Sequence, residues 1–305
     1  MAFNDRDKYL ARLRSQKPSV YLEGERVTDI AGHPMFQYGI NSVAVTFEAA
    51  SEPSFDGLST AWSPLVNETI NRWNQIQAGP EDALTKTRLA RKTGETLCSC
   101  HYRCLTTDCL NAAWATSFEI DRQYGTVYHR RVVEIVKQAQ KEDLVIGGSI
   151  VDPKGDRRFR PAEQPDPDMY LRVVERREDG IVVRGAKAHS TASAYTNLLC
   201  VFPSRPLQKD EADYAVGFFT PVDAEGIVFI CKSPPVPEAP GKMEYPLSSR
   251  FGQLECFTVF NDVFVPWERV FMCGETEHAA TMLGIFNAFH TWHKCGCRAA
   301  SMDLD

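Results

Sequence analysis

The sequence predicts an α+β protein with a helical block, a β block and the beginning of a further helix. Up to about residue 140, apolar residues recur at helical spacing. After about residue 143, valine and isoleucine become frequent in short alternating segments that turn residues separate. From Thr276 onward the helical spacing returns. We therefore expect units at residues 1–142, 143–275 and 276–305.

The first block is expected to hold five helical segments. The first begins after Asn4, because asparagine caps helices. The third begins at Pro80, because the fixed φ of proline suits a first helical turn. The other three have apolar residues at helical spacing and cover residues 65–76, 97–118 and 129–141.

The β block contains one strong local signal, the Asp179-Gly180 pair between two apolar alternating segments. This pair favours a hairpin turn, so strands are expected on both sides of it. Further strands are expected at residues 144–151, 197–202, 214–220, 226–231 and 255–265.

The segment after Thr276 carries too much apolar surface for a solitary terminal helix. We expect either the first block or material absent from this chain to cover it. The chain therefore looks cut short at its C-terminal end.

Composition excludes several classes of protein. Of the 305 residues, 43% are hydrophobic and 24% charged, as in ordinary globular proteins. A net charge of −6 disfavours a nucleic-acid-binding surface. No apolar stretch approaches the ~18 residues that span a bilayer, and the charged N-terminus lacks the apolar centre of a secretion signal. We expect a cytoplasmic protein with no nucleic-acid or membrane partner.

Ten cysteines in such a chain need an explanation, because disulfides are rare in a reducing compartment. Cys100 and Cys104 lie four positions apart, one turn of a helix. His290 and His293 lie seven and four positions before Cys297, so either histidine could share a helix face with it. Two thiolates from one helix and a histidine with a thiolate from another would suit zinc or an iron–sulfur cluster. Buried structural cysteines are the alternative.

Two loops could approach a cofactor. Val151–Arg157 combines turn residues with cations and follows a strand, so it is either a solvated turn or a loop facing an anionic cofactor. Gly185–Thr191 ends a strand in small and hydroxyl residues, which would admit a flat ligand or form a polar loop. Glu255 is either a solvated carboxylate or an acid/base group, and His189 either a structural or a site residue.

Several common motifs are missing from the sequence. It contains neither GxGxxG nor GxxxxGK[ST], which disfavours Rossmann and P-loop nucleotide sites. It also lacks GxSxG and HExxH, so a serine hydrolase and a zincin are not suggested.

Taken together, these segments resemble the 4-hydroxybutyryl-CoA dehydratase/vinylacetyl-CoA isomerase family, within the flavoprotein group that includes 4-hydroxyphenylacetate 3-monooxygenase. The resemblance covers nearly all 305 residues and is carried by VYLEGERVTDIAGHPMF, CHYRC, DPKGDR, DPDMYLRVVERREDGIVVRGAKAH and FNDVFVPWERVF. It implies an acyl-CoA-dehydrogenase-like fold: a helical N-terminal domain, a central antiparallel β-barrel-like domain and a helical C-terminal domain.

The resemblance also implies two cofactors and their sites. FAD would contact the β domain at Ile150, Val151, Asp152, Pro153, Lys154, Gly155, Asp156, Arg157, His189, Ser190 and Thr191. A [4Fe-4S] cluster would be held by Cys100, Cys104, His290 and Cys297. The catalytic residues would be His290, Glu255 and Thr191, with His290 also acting as a base.

Three residues depart from the family pattern. Lys294 stands where the family has an active-site tyrosine, Arg298 where it has a lysine, and Tyr102 where it has a glutamine. These changes leave the acyl group of the substrate open. Family members form homo-oligomers and continue through a whole helical domain that this chain only begins, so a truncated chain need not assemble.

Three functions are therefore considered. The first is an FAD- and [4Fe-4S]-dependent dehydratase/isomerase that acts on a CoA thioester by flavin radical chemistry. The second is a flavin-dependent monooxygenase acting on a small aromatic substrate. The third is a truncated fragment without catalytic activity.

Overall fold

A computed structural model describes residues 4–55, 57–98, 100–232, 243–246 and 248–302, and only the helical backbone of residues 291–302. The described helices are α1 (Arg6–Ser15), α2 (Pro34–Glu48), α3 (Pro80–Leu97), α4 (Arg103–Tyr124), α5 (Tyr128–Glu142) and α6 (Thr276–Met302). None of them is both long and apolar enough to span a bilayer.

The described strands form two larger sheets and one hairpin. They are β1 (Ser19–Leu22), β2 (Glu25–Val27), β3 (Thr60–Ser63), β4 (Glu68–Asn71), β5 (Ile146–Ser149), β6 (Arg172–Arg176), β7 (Gly180–Thr191), β8 (Leu198–Val201), β9 (Val216–Pro221), β10 (Ile227–Cys231), β11 (Glu255–Pro266) and β12 (Val270–Cys273). The larger sheets run in the orders β2-β1-β10-β11-β7-β6 and β12-β9-β8-β5, and β3 pairs with β4.

This arrangement confirms the α+β class but corrects the description of the β region. The described strands form two separate sheets rather than one closed barrel. The pairing is also mixed, because β1 lies parallel to β10 and β5 lies parallel to β8. Strands β1 and β2, which precede residue 142, complete one edge of the six-stranded sheet.

The prediction of a helix at residues 65–76 is wrong. That segment forms β4 and a short 3₁₀ turn, Arg72–Asn74. Pairing with β3 overrides the helical spacing, and Trp73 becomes fully buried. Helix α2 was not expected, although Pro34 occupies its first turn and the His33 side chain accepts a hydrogen bond from the amide of Met35.

The helix expected at residues 97–118 starts later than predicted, because α3 ends at Leu97 and α4 begins only at Arg103. Cys98 and Tyr102 both have left-handed backbone conformations, with φ values of 49° and 64°. A left-handed residue ends a helix because it turns the chain away from the helix axis. Cys100 therefore precedes α4, whereas Cys104 lies in its first turn.

The terminal helix α6 packs against α3 and α4. Met282 and Phe286, on its apolar face, are buried. The first block therefore covers at least part of the apolar surface that the sequence shows after Thr276, and α6 brings residues from the end of the chain next to α4.

Candidate functional site

A cavity of about 700 Å³ lies where the ends of β5, β7 and β11 meet α4 and α6. One wall is formed by the strands and the loops beside them, and the other by the two helices; we call them the sheet wall and the helix wall. The described lining residues are Cys100, Tyr102, Cys104, Leu105, Gly148, Ile150, Val151, Lys154, His189, Thr191, Ser204, Gln253, Glu255, Leu283, Phe286, Asn287 and His290.

Two thiols stand together on the helix wall. The Sγ atoms of Cys100 and Cys104 lie 3.6 Å apart. Cys104 is buried and Cys100 is half-buried. The sequence-based expectation that the two cysteines share one helix is wrong, but the turn at Tyr102 still brings their thiols together.

His290 reaches the helix wall from α6. Its Nδ1 lies 3.0 Å from Oδ2 of Asp108, which is fully buried on α4. The second carboxylate oxygen, Oδ1, lies 3.3 Å from Nζ of Lys86 on α3. Burial lowers the pKa of Lys86, and the charge of Asp108 opposes that shift. The imidazole also stacks on the Phe286 ring, so it is held from two sides.

Three of the four expected cluster ligands, Cys100, Cys104 and His290, line this one cavity. The side chain of the fourth, Cys297, lies outside the described residues, as do those of His293, Lys294 and Arg298. Among the side chains that the structure describes, no three His, Cys, Asp or Glu groups are close enough to hold a metal ion. The described thiols and imidazole therefore form an incomplete donor set.

Tyr102 separates the two thiols along the chain and also lines the cavity. Its hydroxyl donates to the carbonyl oxygen of Gly252 over 3.4 Å. Burial, followed by the neighbouring Tyr195, raises the pKa of Tyr102. Tyr102 is therefore a neutral hydrogen-bond donor near the thiols.

On the sheet wall, Glu255 and Thr191 face each other across the ladder between β11 and β7. His189 stands beside them, with its Nδ1 3.3 Å from Oε2 of Glu255. The ladder is irregular here, and His189 has a left-handed φ of 53°. A β-bulge of this kind re-aims side chains at the edge of a site.

The hydroxyl of Ser190 is turned the other way. Ser190 is fully buried, and its Oγ lies 2.8 Å from Oγ of Ser149. It is not among the described lining residues, although the family resemblance implies that it contacts the flavin. Its hydrogen bond instead joins β7 to β5.

The loop after β5 is anchored by a buried ion pair. Nζ of Lys187 lies 2.5 Å from Oδ1 of Asp152. The same ammonium donates to the carbonyl oxygens of Ile150 and Phe202, at 3.1 and 2.9 Å. Asp152 also accepts a 2.7 Å hydrogen bond from Oγ of Ser204. The Asp152 carboxylate therefore fixes the loop, and the backbone that follows is held against the sheet.

The remaining loop residues divide into two groups. Ile150, Val151 and Lys154 line the cavity, and Pro153 lines a smaller adjoining pocket that also contacts His189 and Glu255. The described linings do not include three further residues that the family resemblance implies at the flavin, namely Gly155, Asp156 and Arg157.

The carboxylate of Asp156 pairs with Arg158, which lowers the pKa of Asp156. Gly155 has a left-handed φ of 52°, and a Cβ there would lie 2.5 Å from Oε1 of Gln164. Both features favour glycine at this turn.

Sequence analysis missed three residues that hold the site: Lys86, Asp108 and Lys187. Asp108 lies four residues after Cys104, one turn along α4, and is the one charged residue between Arg103 and Glu119. A carboxylate in such a position is a usable signal, because an unpaired buried charge is costly. Lys187 occupies an inward-facing position of β7, which is a similar signal.

Comparisons with known proteins show what this chain is similar to in sequence and fold. Residues 5–272 match the family model described as "4-hydroxyphenylacetate 3-hydroxylase N terminal". The chain is 38% identical over 304 residues to the 4-hydroxybutyryl-CoA dehydratase/vinylacetyl-CoA-Δ-isomerase of Clostridium aminobutyricum, covering 98% of this chain and 61% of that protein.

Two solved structures extend the likeness. An oxygen-tolerant archaeal 4-hydroxybutyryl-CoA dehydratase from N. maritimus superposes with a TM-score of 0.94 at 34% identity, over 99% of this chain and 60% of that one. The oxygenase component of 4-hydroxyphenylacetate 3-monooxygenase, in complex with FAD and 4-hydroxyphenylacetate, gives 0.84 at 25% identity, over 97% and 62%.

The chain thus spans about 60% of the length of these relatives. Within that span the family model and the fold match across both the helical and the β regions. The chain belongs to the 4-hydroxyphenylacetate 3-hydroxylase family, and its sequence is also similar to a 4-hydroxybutyryl-CoA dehydratase/vinylacetyl-CoA-Δ-isomerase.

Proposed function

We propose that this chain is part of an FAD- and [4Fe-4S]-dependent dehydratase/isomerase that acts on a hydroxyacyl- or enoyl-CoA thioester. The observation that carries the proposal is one cavity with two kinds of wall. The thiols of Cys100 and Cys104 line it together with His290, and Glu255 and Thr191 line it from the sheet.

The cavity fits a flavin. A volume of about 700 Å³ lies within the ~300–1,000 Å³ of typical ligand sites. The sheet wall offers apolar contacts from Ile150 and Val151 and a cation from Lys154 toward an anionic cofactor. We propose that these residues, with His189 and Thr191, contact FAD, while Asp152 holds the loop in place through Lys187. The FAD bound to the solved monooxygenase relative supports FAD as the cofactor.

The helix wall offers donors of the type that iron–sulfur clusters take. We propose Cys100, Cys104, His290 and Cys297 as the four ligands, because thiolates with an occasional histidine hold such clusters. Cys100 and Cys104 already share one side of the cavity. When bound, the flavin would supply one-electron chemistry and the cluster a Lewis acid for the leaving hydroxyl.

The chain's own residues would bind the thioester and move its protons. Dehydration removes a proton from one carbon and a hydroxide from a neighbouring carbon, and the hydroxide leaves as water after gaining a proton. We propose that Nε2 of His290, when it is not bound to iron, takes the carbon-bound proton and passes it to the departing hydroxide. In the isomerisation, Glu255 on the other wall would take a proton from one carbon of the acyl chain and return it to another as the double bond moves. Thr191, opposite Glu255, would donate a hydrogen bond that orients the acyl group.

The experiment is to purify the full chain without oxygen and to measure flavin and iron. We expect one flavin and about four irons per chain, as one [4Fe-4S] cluster requires. Cys104→Ser should lose the iron and keep the flavin. Cys98→Ser is the matched control, because Cys98 is a nearby half-buried thiol that ends α3 outside the described cavity lining. An iron-free wild-type chain would contradict the proposal.

A second function is favoured by the relative solved with FAD and 4-hydroxyphenylacetate. A flavin-dependent monooxygenase would bind FAD, contain no iron, and consume oxygen together with a phenol. The same preparation distinguishes the two functions. Flavin without iron and with phenol-dependent oxygen uptake indicates the monooxygenase, whereas iron with turnover of 4-hydroxybutyryl-CoA indicates the dehydratase.

A further inference from the structure

We propose that Asp108, supported by Lys86, is a positioning residue that fixes the tautomer and orientation of His290, so that Nε2 is the nitrogen presented to iron. This inference rests on the proposed function for the identity of the metal. The contacts among Lys86, Asp108 and His290 do not depend on the proposed function. They join α3, α4 and α6 at one point of the helix wall.

The direction of the hydrogen bond decides the tautomer. The ammonium of Lys86, 3.3 Å from the other oxygen, favours an ionised Asp108, and an ionised carboxylate only accepts hydrogen bonds; we therefore assign the proton in the 3.0 Å contact to Nδ1 of His290. The lone pair of the neutral ring is then on Nε2. Metal-binding histidines commonly donate their second ring N–H to a carboxylate in this way, which fixes the ring and raises the basicity of the ligating nitrogen.

The carboxylate of Asp108 is buried together with its cationic partner. It is fully buried, and Lys86, which lies 3.3 Å away, has a side chain only 2% exposed. Replacing a buried ion pair by apolar residues is often neutral or stabilising, so such a pair is weak evidence of a role in stability. Its contact with the cavity-lining His290 instead indicates a role in the site.

The spacing along α4 links Asp108 to the thiols. Asp108 follows Cys104 by four residues, so both side chains lie on the same face of the helix, one turn apart. Helix α4 would then contribute two residues to the metal site. Cys104 would be a ligand, and Asp108 would position the ligand His290. The ring of Phe289, 5.3 Å from Nζ of Lys86, packs on the lysine from α6.

The test uses the double variant Lys86→Met/Asp108→Leu, which removes both charges together so that neither is left buried alone. Asp108→Asn is the second variant and keeps the shape of the side chain. Ser117→Ala is the control. It removes a hydroxyl on the same helix that lies 3.2 Å from Nδ1 of a different histidine, His129.

The first readout does not depend on a bound cluster. The full chain is labelled with ¹⁵N-histidine, and long-range ¹⁵N–¹H correlation spectra identify which nitrogen of His290 carries the proton. His290→Gln provides the assignment. We expect the Nδ1–H form in the wild type and in Ser117→Ala, and a mixture or the Nε2–H form in both Asp108 variants. A wild-type His290 protonated on Nε2 alone would overturn the proposal.

The second readout is the rate at which a chelator removes iron from the loaded chain. Loss of an outer-shell partner costs about 10–100-fold in metal affinity, so both Asp108 variants should release iron about 10–100-fold faster than the wild type and Ser117→Ala. Unchanged release from folded variants would overturn the proposal. If the wild type takes up no iron, the proposed function fails, and the tautomer measurement still decides whether Asp108 sets the ring.

Discussion

The two walls of the cavity are held by different forces. On the sheet wall, Glu255 and Thr191 are set opposite each other by backbone pairing between β11 and β7. On the helix wall, Cys104 and His290 come from helices far apart in the sequence, and the buried carboxylate of Asp108 contacts the His290 ring. Strand pairing by backbone hydrogen bonds persists when a side chain is replaced. A group of side chains joined by buried charged contacts is disrupted when any one of them is replaced.

Within the sheet wall, the side chains proposed to act on the substrate differ from those that hold the backbone in place. The side chains of Glu255 and Thr191 can change while the ladder persists. The loop that follows β5 lacks a ladder of its own and relies on the Lys187–Asp152 pair. Variants on this wall should therefore fall into two classes, those that lower turnover without loss of stability and those that unfold the loop.

Glu255→Gln belongs to the first class and has the largest expected effect. The carboxylate is half-buried in the cavity, and its contact with the exposed His189 is worth little stability. If it carries a proton to or from the substrate, its loss should lower kcat by about 10²–10⁴-fold. Anaerobic turnover of 4-hydroxybutyryl-CoA measures this, and thermal unfolding should show an unchanged Tm.

Glu268→Gln is the control for that prediction, because Glu268 is an exposed carboxylate just beyond the other end of β11. It should change neither turnover nor Tm. A Glu255→Gln protein with wild-type kcat would remove Glu255 from the proton-transfer step.

Lys187→Met belongs to the second class. It leaves the buried Asp152 carboxylate without its cation and removes the donor to the carbonyls of Ile150 and Phe202. Breaking a buried pair in this way costs about 3–5 kcal/mol of the free energy of unfolding. Urea unfolding measures the loss, and FAD binding should weaken in parallel.

Two further variants test the cause of that loss. Lys209→Met removes an exposed lysine and should change stability by less than about 0.5 kcal/mol. Lys187→Met combined with Asp152→Leu should recover part of the stability, because no charge is then left buried alone. A single Lys187→Met variant as stable as the wild type would show that the ion pair does not anchor the loop.

The sequence predicts local structure well where one residue type decides it. Helix α3 begins at Pro80, the hairpin turns before Gly180 and α6 begins at Thr276, all as expected. It fails where pairing or backbone strain decides. Residues 65–76 pair with β3 instead of forming a helix. The helix break at Tyr102 uses a left-handed conformation that side-chain periodicity does not reveal.

In the candidate site too, some residues could be predicted from the sequence and others could not. Resemblance located Cys100, Cys104, His290, Glu255 and Thr191, and all five line one cavity. Spacing alone left both His290 and His293 open, and the role of Cys297 stays a prediction. Asp108 and Lys187 were missed because their partners lie 182 and 35 positions away in the sequence, so only the folded chain reveals the pairs.

Gly155→Ala tests the loop with a smaller change. The left-handed φ and the 2.5 Å approach to Gln164 both oppose a Cβ, so we expect a loss of about 1–3 kcal/mol in stability and weaker FAD binding. Gly24→Ala is the matched control, because Gly24 has a left-handed φ of 85° but no atom within 4 Å of an added Cβ. It should lose only the cost of strain, with FAD binding unchanged. Equal losses in the two variants would contradict a specific role for the turn.

The smallest effect is expected on the helix wall, from Tyr102→Phe. The hydroxyl makes a long 3.4 Å hydrogen bond to Gly252, so its loss should cost about 0.5 kcal/mol, at the low end for a hydrogen bond. Tyr9→Phe is the comparison, because the buried hydroxyl of Tyr9 donates to the carbonyl of Tyr195 at 2.6 Å and should cost about 1.5 kcal/mol. Iron content should be unchanged in both variants. Loss of iron in Tyr102→Phe alone would show that the hydroxyl stabilises the cluster, and the helix wall would then depend on a polar group at the turn between its two thiols as well as on Asp108.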